Sequence, residues 1–111
     1  MSTKSLALFV LTAASIGLCG LAQAADLQAG EAKVKQICQA CHGLDGNTPI
    51  PGNPTLGGQY PDYLAKAMRD YKSGSRKNAM MGGMVASLSD QDIENVSAYY
   101  AAQPAVVYTK H

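Results

Sequence analysis

The run Cys38-Gln39-Ala40-Cys41-His42 occurs once in the chain and restricts it more than any other feature. Wound as a helical turn, positions 38, 41 and 42 fall on one side, so two thiols and an imidazole face the same space. Four chemistries use such a set. A zinc site needs four ligands, and the only other histidine is His111, at the far end. A dithiol redox site belongs beside a βαβ pattern, and no segment shows sustained alternation. A local disulfide would close almost no loop and leave His42 unexplained. In the fourth, the two thiols add across the vinyl groups of a haem and the imidazole falls beneath the iron, the attachment pattern of haem c.

The amino-terminal residues say where this chemistry takes place. Lys4 supplies a positive start, Leu6 to Leu21 is apolar or small throughout, and Ala22-Gln23-Ala24 fits a small-residue cleavage pattern. Residues 1–24 are expected to be a secretory signal peptide, cut after Ala24 or one residue later. The competing reading is a retained anchor, but residues 6–21 fall short of the ~20 needed to span a bilayer. Lipid attachment at Cys19 would need a small residue before it, where Leu18 stands. Residues 25–111 are then the functional domain, outside the cytoplasm and expected in a bacterial periplasm. That domain retains only Cys38 and Cys41 of the three cysteines.

Composition narrows the class. Hydrophobic residues make up 47% and charged residues 15%, which excludes a disordered charged tail. The formal net charge is +1 and drops to zero with Lys4, so there is no electrostatic case for nucleic-acid binding. One domain of this size buries a modest core and needs a staple, for which a bound cofactor serves.

Along the domain, three helices are expected. The first runs from Asp26, a good N-cap, to Ala40, with Leu27, Val34 and Ile37 on one face, and leads directly into Cys38–His42. Glycines and prolines between residues 43 and 59 forbid regular structure. The second helix starts at Tyr60-Pro61, carries Tyr63, Leu64, Ala67, Met68 and Tyr71 at helical spacing, and ends at Gly74. Ser75 to Ser87 is expected to be a second loop. The last helix has Ser89 as N-cap with Asp92 three residues on, a variant capping box, and Ile93, Val96, Tyr99 and Tyr100 on its apolar face. The class is all-α, and two loops of such length in a small domain suggest that they wrap something.

On these residues the chain resembles the class I c-type cytochromes of the small bacterial monohaem kind, and one half of the tandem dihaem cytochromes. The likeness covers Gly30 to Gly43, Pro54-Thr55-Leu56-Gly57-Gly58-Gln59, the methionine-rich stretch and Leu88-Ser89-Asp90-Gln91-Asp92-Ile93. It implies three main helices and long loops around one haem c, held by thioethers to Cys38 and Cys41. It implies that the first and last helices cross at Gly30, with Val34 meeting Val96 and Tyr99. It implies that the Pro54 carbonyl accepts the second ring N–H of His42, the proximal iron ligand. The sixth ligand is sought among Met68, Met80, Met81 and Met84. Met68 sits on an apolar helix face and is expected in the core. In relatives the ligand methionine stands seven residues before the Leu-Ser-Asp leucine, which designates Met81. The two methionines not chosen are expected to line the haem, and Gly82 and Gly83 to let backbone approach it. Arg76 and Lys77 are expected as a solvated surface pair, with a haem propionate as the alternative partner.

A haem iron with both axial positions filled by His and Met changes oxidation state with little rearrangement and binds substrate poorly. The expected function is therefore single-electron transfer between periplasmic redox proteins by transient docking, without catalysis and without membrane insertion after cleavage. The alternatives are the haem-bearing subunit of a larger dehydrogenase and, further off, a peroxidase or gas sensor with a displaceable methionine.

Overall fold

The computed structural model describes Gly17 and residues 23–105. The apolar signal segment with Cys19 and the tail from Tyr108 to His111 lie outside the described residues, apart from Gly17, Gln23 and Ala24. All regular structure among the described residues is helical: α1 (Leu27–Lys33), a π-helical stretch (Val34–Cys38), α2 (Gln39–His42), α3 (Pro61–Ser73), α4 (Ala79–Val85) and α5 (Asp90–Ala101). No helix among these residues is long and apolar enough to cross a membrane.

Local chemistry explains most of the helix ends. The Asp26 carboxylate accepts from the backbone N–H groups of Gln28 and Ala29, two donors that a helix start otherwise leaves unpaired. Pro61 occupies the first turn of α3, and Gly74 closes that helix in the left-handed conformation at φ 84°. Ser89 and Asp92 form a reciprocal capping box on α5.

Two expectations are corrected. The first helix does not stop at Ala40: it runs to His42, with a wider winding at Val34–Cys38 where the Gln39 N–H reaches the Val34 carbonyl, five residues back. The stretch Ser75 to Ser87 is not all loop, because Ala79–Val85 is helical. Asn78 starts α4 by accepting from the Met81 N–H, and the buried Val85 fastens its far end. The packing of α4 on α3 outweighs the poor helix propensity of Gly82 and Gly83.

The helices α1 and α5 make the most extensive helix–helix contact and cross at Gly30. A Cβ there would lie 2.2 Å from the Asn95 carbonyl oxygen and 3.0 Å from the Tyr99 Cβ, so only glycine permits the approach. The Asn95 side chain adds a tie, accepting from the Asp26 N–H at 2.8 Å. The core has two parts arranged along α5. Val96 and Tyr100 pack with Val34 and Leu64, with Tyr99 against the cluster. Ile93 packs with Ala65, Val85 and Leu88. Met68 touches both clusters, in keeping with the core role expected of it. Tyr63, at helical spacing with the buried positions of α3, is exposed instead, as is Tyr60 at the start of that helix.

Candidate functional site

Between the two core clusters lies a cavity of about 500 Å³, walled chiefly by apolar side chains. Its lining includes Cys38, Cys41 and His42 together with Met80, Met81, Met84 and Val85. Residues far apart in sequence thus face one space, as the motif and the methionine-rich stretch led one to expect. Cys38 and Cys41, both half-buried, form no disulfide with one another. Burial pushes the Cys38 thiol up to about 11, which keeps it protonated at neutral pH.

His42 is 7% exposed. Its Nδ1 lies 3.0 Å from the Pro54 carbonyl oxygen, the contact the resemblance implied. A carbonyl can only accept, so Nδ1 carries the proton and the Nε2 lone pair is left available to a metal. The backbone on either side of the ring is also held. The Cys41 carbonyl accepts from Thr48 Oγ1 at 2.7 Å and from Asn53 Nδ2 at 2.9 Å. The Gly43 carbonyl accepts from the Tyr100 hydroxyl at 3.0 Å. These three donors meet carbonyls at the end of α2, where a helix has no partners of its own. Burial raises the Tyr100 phenol well above its usual range, so the hydroxyl keeps its proton and donates.

The methionine wall is looser. Met81 is half-buried and packs against the Ile93 cluster, whereas Met80 is 66% and Met84 43% exposed. All three line the cavity. Gly82 and Gly83 do not line it, contrary to expectation: a Cβ on Gly82 would face the Tyr71 carbonyl at 3.6 Å, and one on Gly83 would meet nothing within 4 Å. The pair Arg76 and Lys77 is separated. Arg76 lies on the cavity wall with its guanidinium carbon 4.8 Å from the Tyr71 ring centre, and Lys77 does not line the cavity. The polar side chains of Gln59, Tyr63 and Asn78 share the wall with Arg76.

Sequence reasoning missed Thr48 and Asn53; for Tyr100 it expected a core ring with its hydroxyl on a partner, as found, but could not name the Gly43 carbonyl. The distance in sequence between Tyr100 and Gly43, 57 positions, leaves no local signal for the bond.

The residues present fit a haem. The cavity is chiefly apolar, and two cysteines, a histidine and the soft thioethers of three methionines share its lining. No group of three or more metal-ligating His, Cys, Asp and Glu side chains occurs among the described residues.

Comparison with known proteins agrees. The family described as "Cytochrome C oxidase, cbb3-type, subunit III" matches residues 25–99. Cytochrome c4 of Pseudomonas aeruginosa is 50% identical over 90 residues, covering 80% of this chain and 44% of that protein. Cytochrome c-554(548) of Halomonas halodenitrificans is 43% identical over 83 residues, covering 72% of this chain and 99% of that protein. The crystal structure of reduced cytochrome c4 from Pseudomonas stutzeri superimposes with a TM-score of 0.67 at 46% identity, over 73% of this chain and 47% of that one. The chain spans about half the length of the cytochromes c4 it matches. Fold, cavity and kinship converge: the chain belongs to this family of class I c-type cytochromes, and its cofactor is a covalently bound haem c.

Proposed function

We propose that this protein carries single electrons between redox partners in the periplasm and performs no catalysis of its own. The observation that carries the reading is that a fixed imidazole, His42, and the half-buried thioether of Met81 line one apolar cavity. When bound, haem c supplies one iron that takes up and gives back a single electron. In this reading Cys38 and Cys41 would form the two thioethers, and His42 and Met81 would ligate the iron. The Pro54 carbonyl fixes the His42 ring and increases the electron density on Nε2. Val34, Leu56, Leu64, Val85 and Val96 keep water from the cavity or its rear, and a dry site favours a high potential. Arg76, on the wall and without an ion-pair partner among the described residues, suits a propionate of the haem.

Export fits the local structure. Gln23 to Asp26 are exposed and non-helical, and α1 begins just beyond them, so cleavage after Ala24 would leave the Asp26 cap intact. Residues 25–111 would then be the working domain.

The test is the absorption spectrum of the full precursor expressed in a host that attaches haem, recorded oxidised, reduced, and reduced with carbon monoxide. Covalent low-spin haem indifferent to carbon monoxide is expected. Carbon monoxide binding at neutral pH would overturn the carrier reading in favour of an enzyme or sensor. Co-purification with a flavin or metal subunit would assign the chain to a larger dehydrogenase instead of a free carrier.

A further inference from the structure

The backbone that carries His42 is gripped more firmly than helix termination requires. It rests on carbonyl oxygens at the end of a helix only four residues long, Gln39–His42. The residue before the histidine gives its carbonyl to two side-chain donors, Thr48 and Asn53, and the residue after it gives its carbonyl to Tyr100. Tyr100 reaches in from α5, is 1% exposed, and is among the residues that line the cavity. Gly43, which receives that bond, has left helical geometry at φ 79°. A Cβ on it would lie 2.5 Å from the Asn47 carbonyl, so the turn has no slack on that side either.

We propose that Tyr100, together with Asn53 and Thr48, is a positioning residue for His42: these donors hold the carbonyls of Cys41 and Gly43 and so fix the imidazole against the Pro54 carbonyl. The inference rests on the reading of His42 as an iron ligand. A buried tyrosine hydroxyl needs some partner, and a purely structural account stops there. What separates the two accounts is the place of the partner, one residue from the ring and across the cavity wall from the helix that supplies the donor. Releasing the Gly43 carbonyl lets the turn move, and the bond from Nδ1–H to the Pro54 carbonyl opens more often. That opening alters both the solvent access of the ring proton and the electron density that Nε2 offers to the iron.

The experiment uses reduced holoprotein, as wild type and as Tyr100→Phe, Asn53→Ala and Tyr99→Phe. Two quantities are read by NMR and voltammetry: the solvent exchange rate of the His42 Nδ1–H, and the midpoint potential. Tyr100→Phe keeps the ring in the core, and it is expected to retain a six-coordinate spectrum while exchange quickens about tenfold, the worth of one hydrogen bond, and the potential moves. Asn53→Ala is expected to do the same to a smaller extent. Tyr99→Phe, on the neighbouring half-buried position, is expected to leave both quantities at their wild-type values. If Tyr100→Phe lowers only the melting temperature, with exchange and potential unchanged, the proposal is overturned. Should Tyr100→Phe fail to hold haem, Asn53→Ala decides: faster exchange supports the proposal and unchanged exchange overturns it. A wild-type spectrum without histidine-ligated low-spin iron would overturn the ligand reading itself, and that failure is visible before any variant is made.

Discussion

Around His42, side chains from two loop positions and from the last helix grip backbone carbonyls on both sides of the ring; around Met81, one asparagine caps a short helix and one valine anchors it. The histidine wall is buried and tied to the α1–α5 crossing through Val34 and Tyr100. On the methionine side α4 leans on α3, leaves Met80 and Met84 exposed, and carries two adjacent glycines that do not line the cavity. The same helix supports both, since α5 presents Ile93 to the methionine side and Tyr100 to the histidine side. The difference teaches where rigidity is spent. A site attached by its own polypeptide segment needs that segment shaped in advance, while a ligand that arrives from elsewhere can tolerate some give.

The largest expected effect comes from attacking the rigid wall at its support. In Gly30→Val the new Cβ would stand 2.2 Å from the Asn95 carbonyl oxygen, a backbone atom that cannot step aside. The α1–α5 crossing must open, at a cost of about 3 kcal/mol or more, at or beyond the top of the overpacking range. The check is chemical denaturation of the holoprotein. A midpoint unchanged from wild type would mean that the crossing does not support the histidine wall, and the comparison would fail.

Next comes the soft wall. Met81→Ala removes a half-buried thioether, so its cost in stability should be about 1 to 2 kcal/mol, below the range for fully buried methionine. Its spectroscopic effect is larger: the iron should become five-coordinate or misligated and bind carbon monoxide. An unperturbed low-spin spectrum would shift the ligand role to Met80 or Met84, both of which share the cavity wall.

These two walls were unequally legible in the sequence. Cys38, Cys41, His42, the caps at Asp26 and Ser89 and the break at Gly74 could be read because each depends on chemistry within a few residues. The crossing at Gly30 could be read from the resemblance, and the backbone contact gives it a physical cause. The helix at Ala79–Val85 could not, since Gly82 and Gly83 argue against it and its support comes from α3 and from the burial of Val85. The wide winding at Val34–Cys38 could not either, because it is a choice of hydrogen-bond register that no side chain announces. Arg76 and Lys77 looked alike as neighbours, and only the turn after α3 puts one on the cavity wall and leaves the other off it.

A smaller effect is expected where α5 begins, beside the methionine side. Ser89→Ala removes one arm of the capping box and should cost about 1 kcal/mol. The remaining arm involves Asp92, whose carboxyl is held below the usual range chiefly by the Ser89 backbone N–H. A lowered folded-state value means that this contribution is present above the ordinary aspartate pKa of about 3.9 and is lost as the pH falls below it. Thermal melts at neutral pH and at progressively lower pH should show the gap between wild type and Asp92→Asn closing on acidification. A gap that widened instead would show that Asp92 stabilises the helix by some route other than its ionised cap.

The smallest effect has the opposite sign and sharpens the contrast most directly. Gly83 lies inside α4, is exposed, has no positive φ, and would place a Cβ in open space. Gly83→Ala therefore introduces no clash with the protein and removes conformational freedom from the unfolded chain, which should stabilise the holoprotein by about 0.5 to 1 kcal/mol. For a domain of this size that corresponds to a rise in melting temperature of about 3 °C or somewhat more. The midpoint potential should stay at its wild-type value, because Gly83 does not line the cavity. If the substitution stabilises, the softness of the methionine wall is a matter of helix propensity and can be removed without touching the site. A fall in melting temperature would show that bound haem, or the backbone around it, reaches Gly83 after all, and the looseness of this wall would then be a requirement of the occupied cavity.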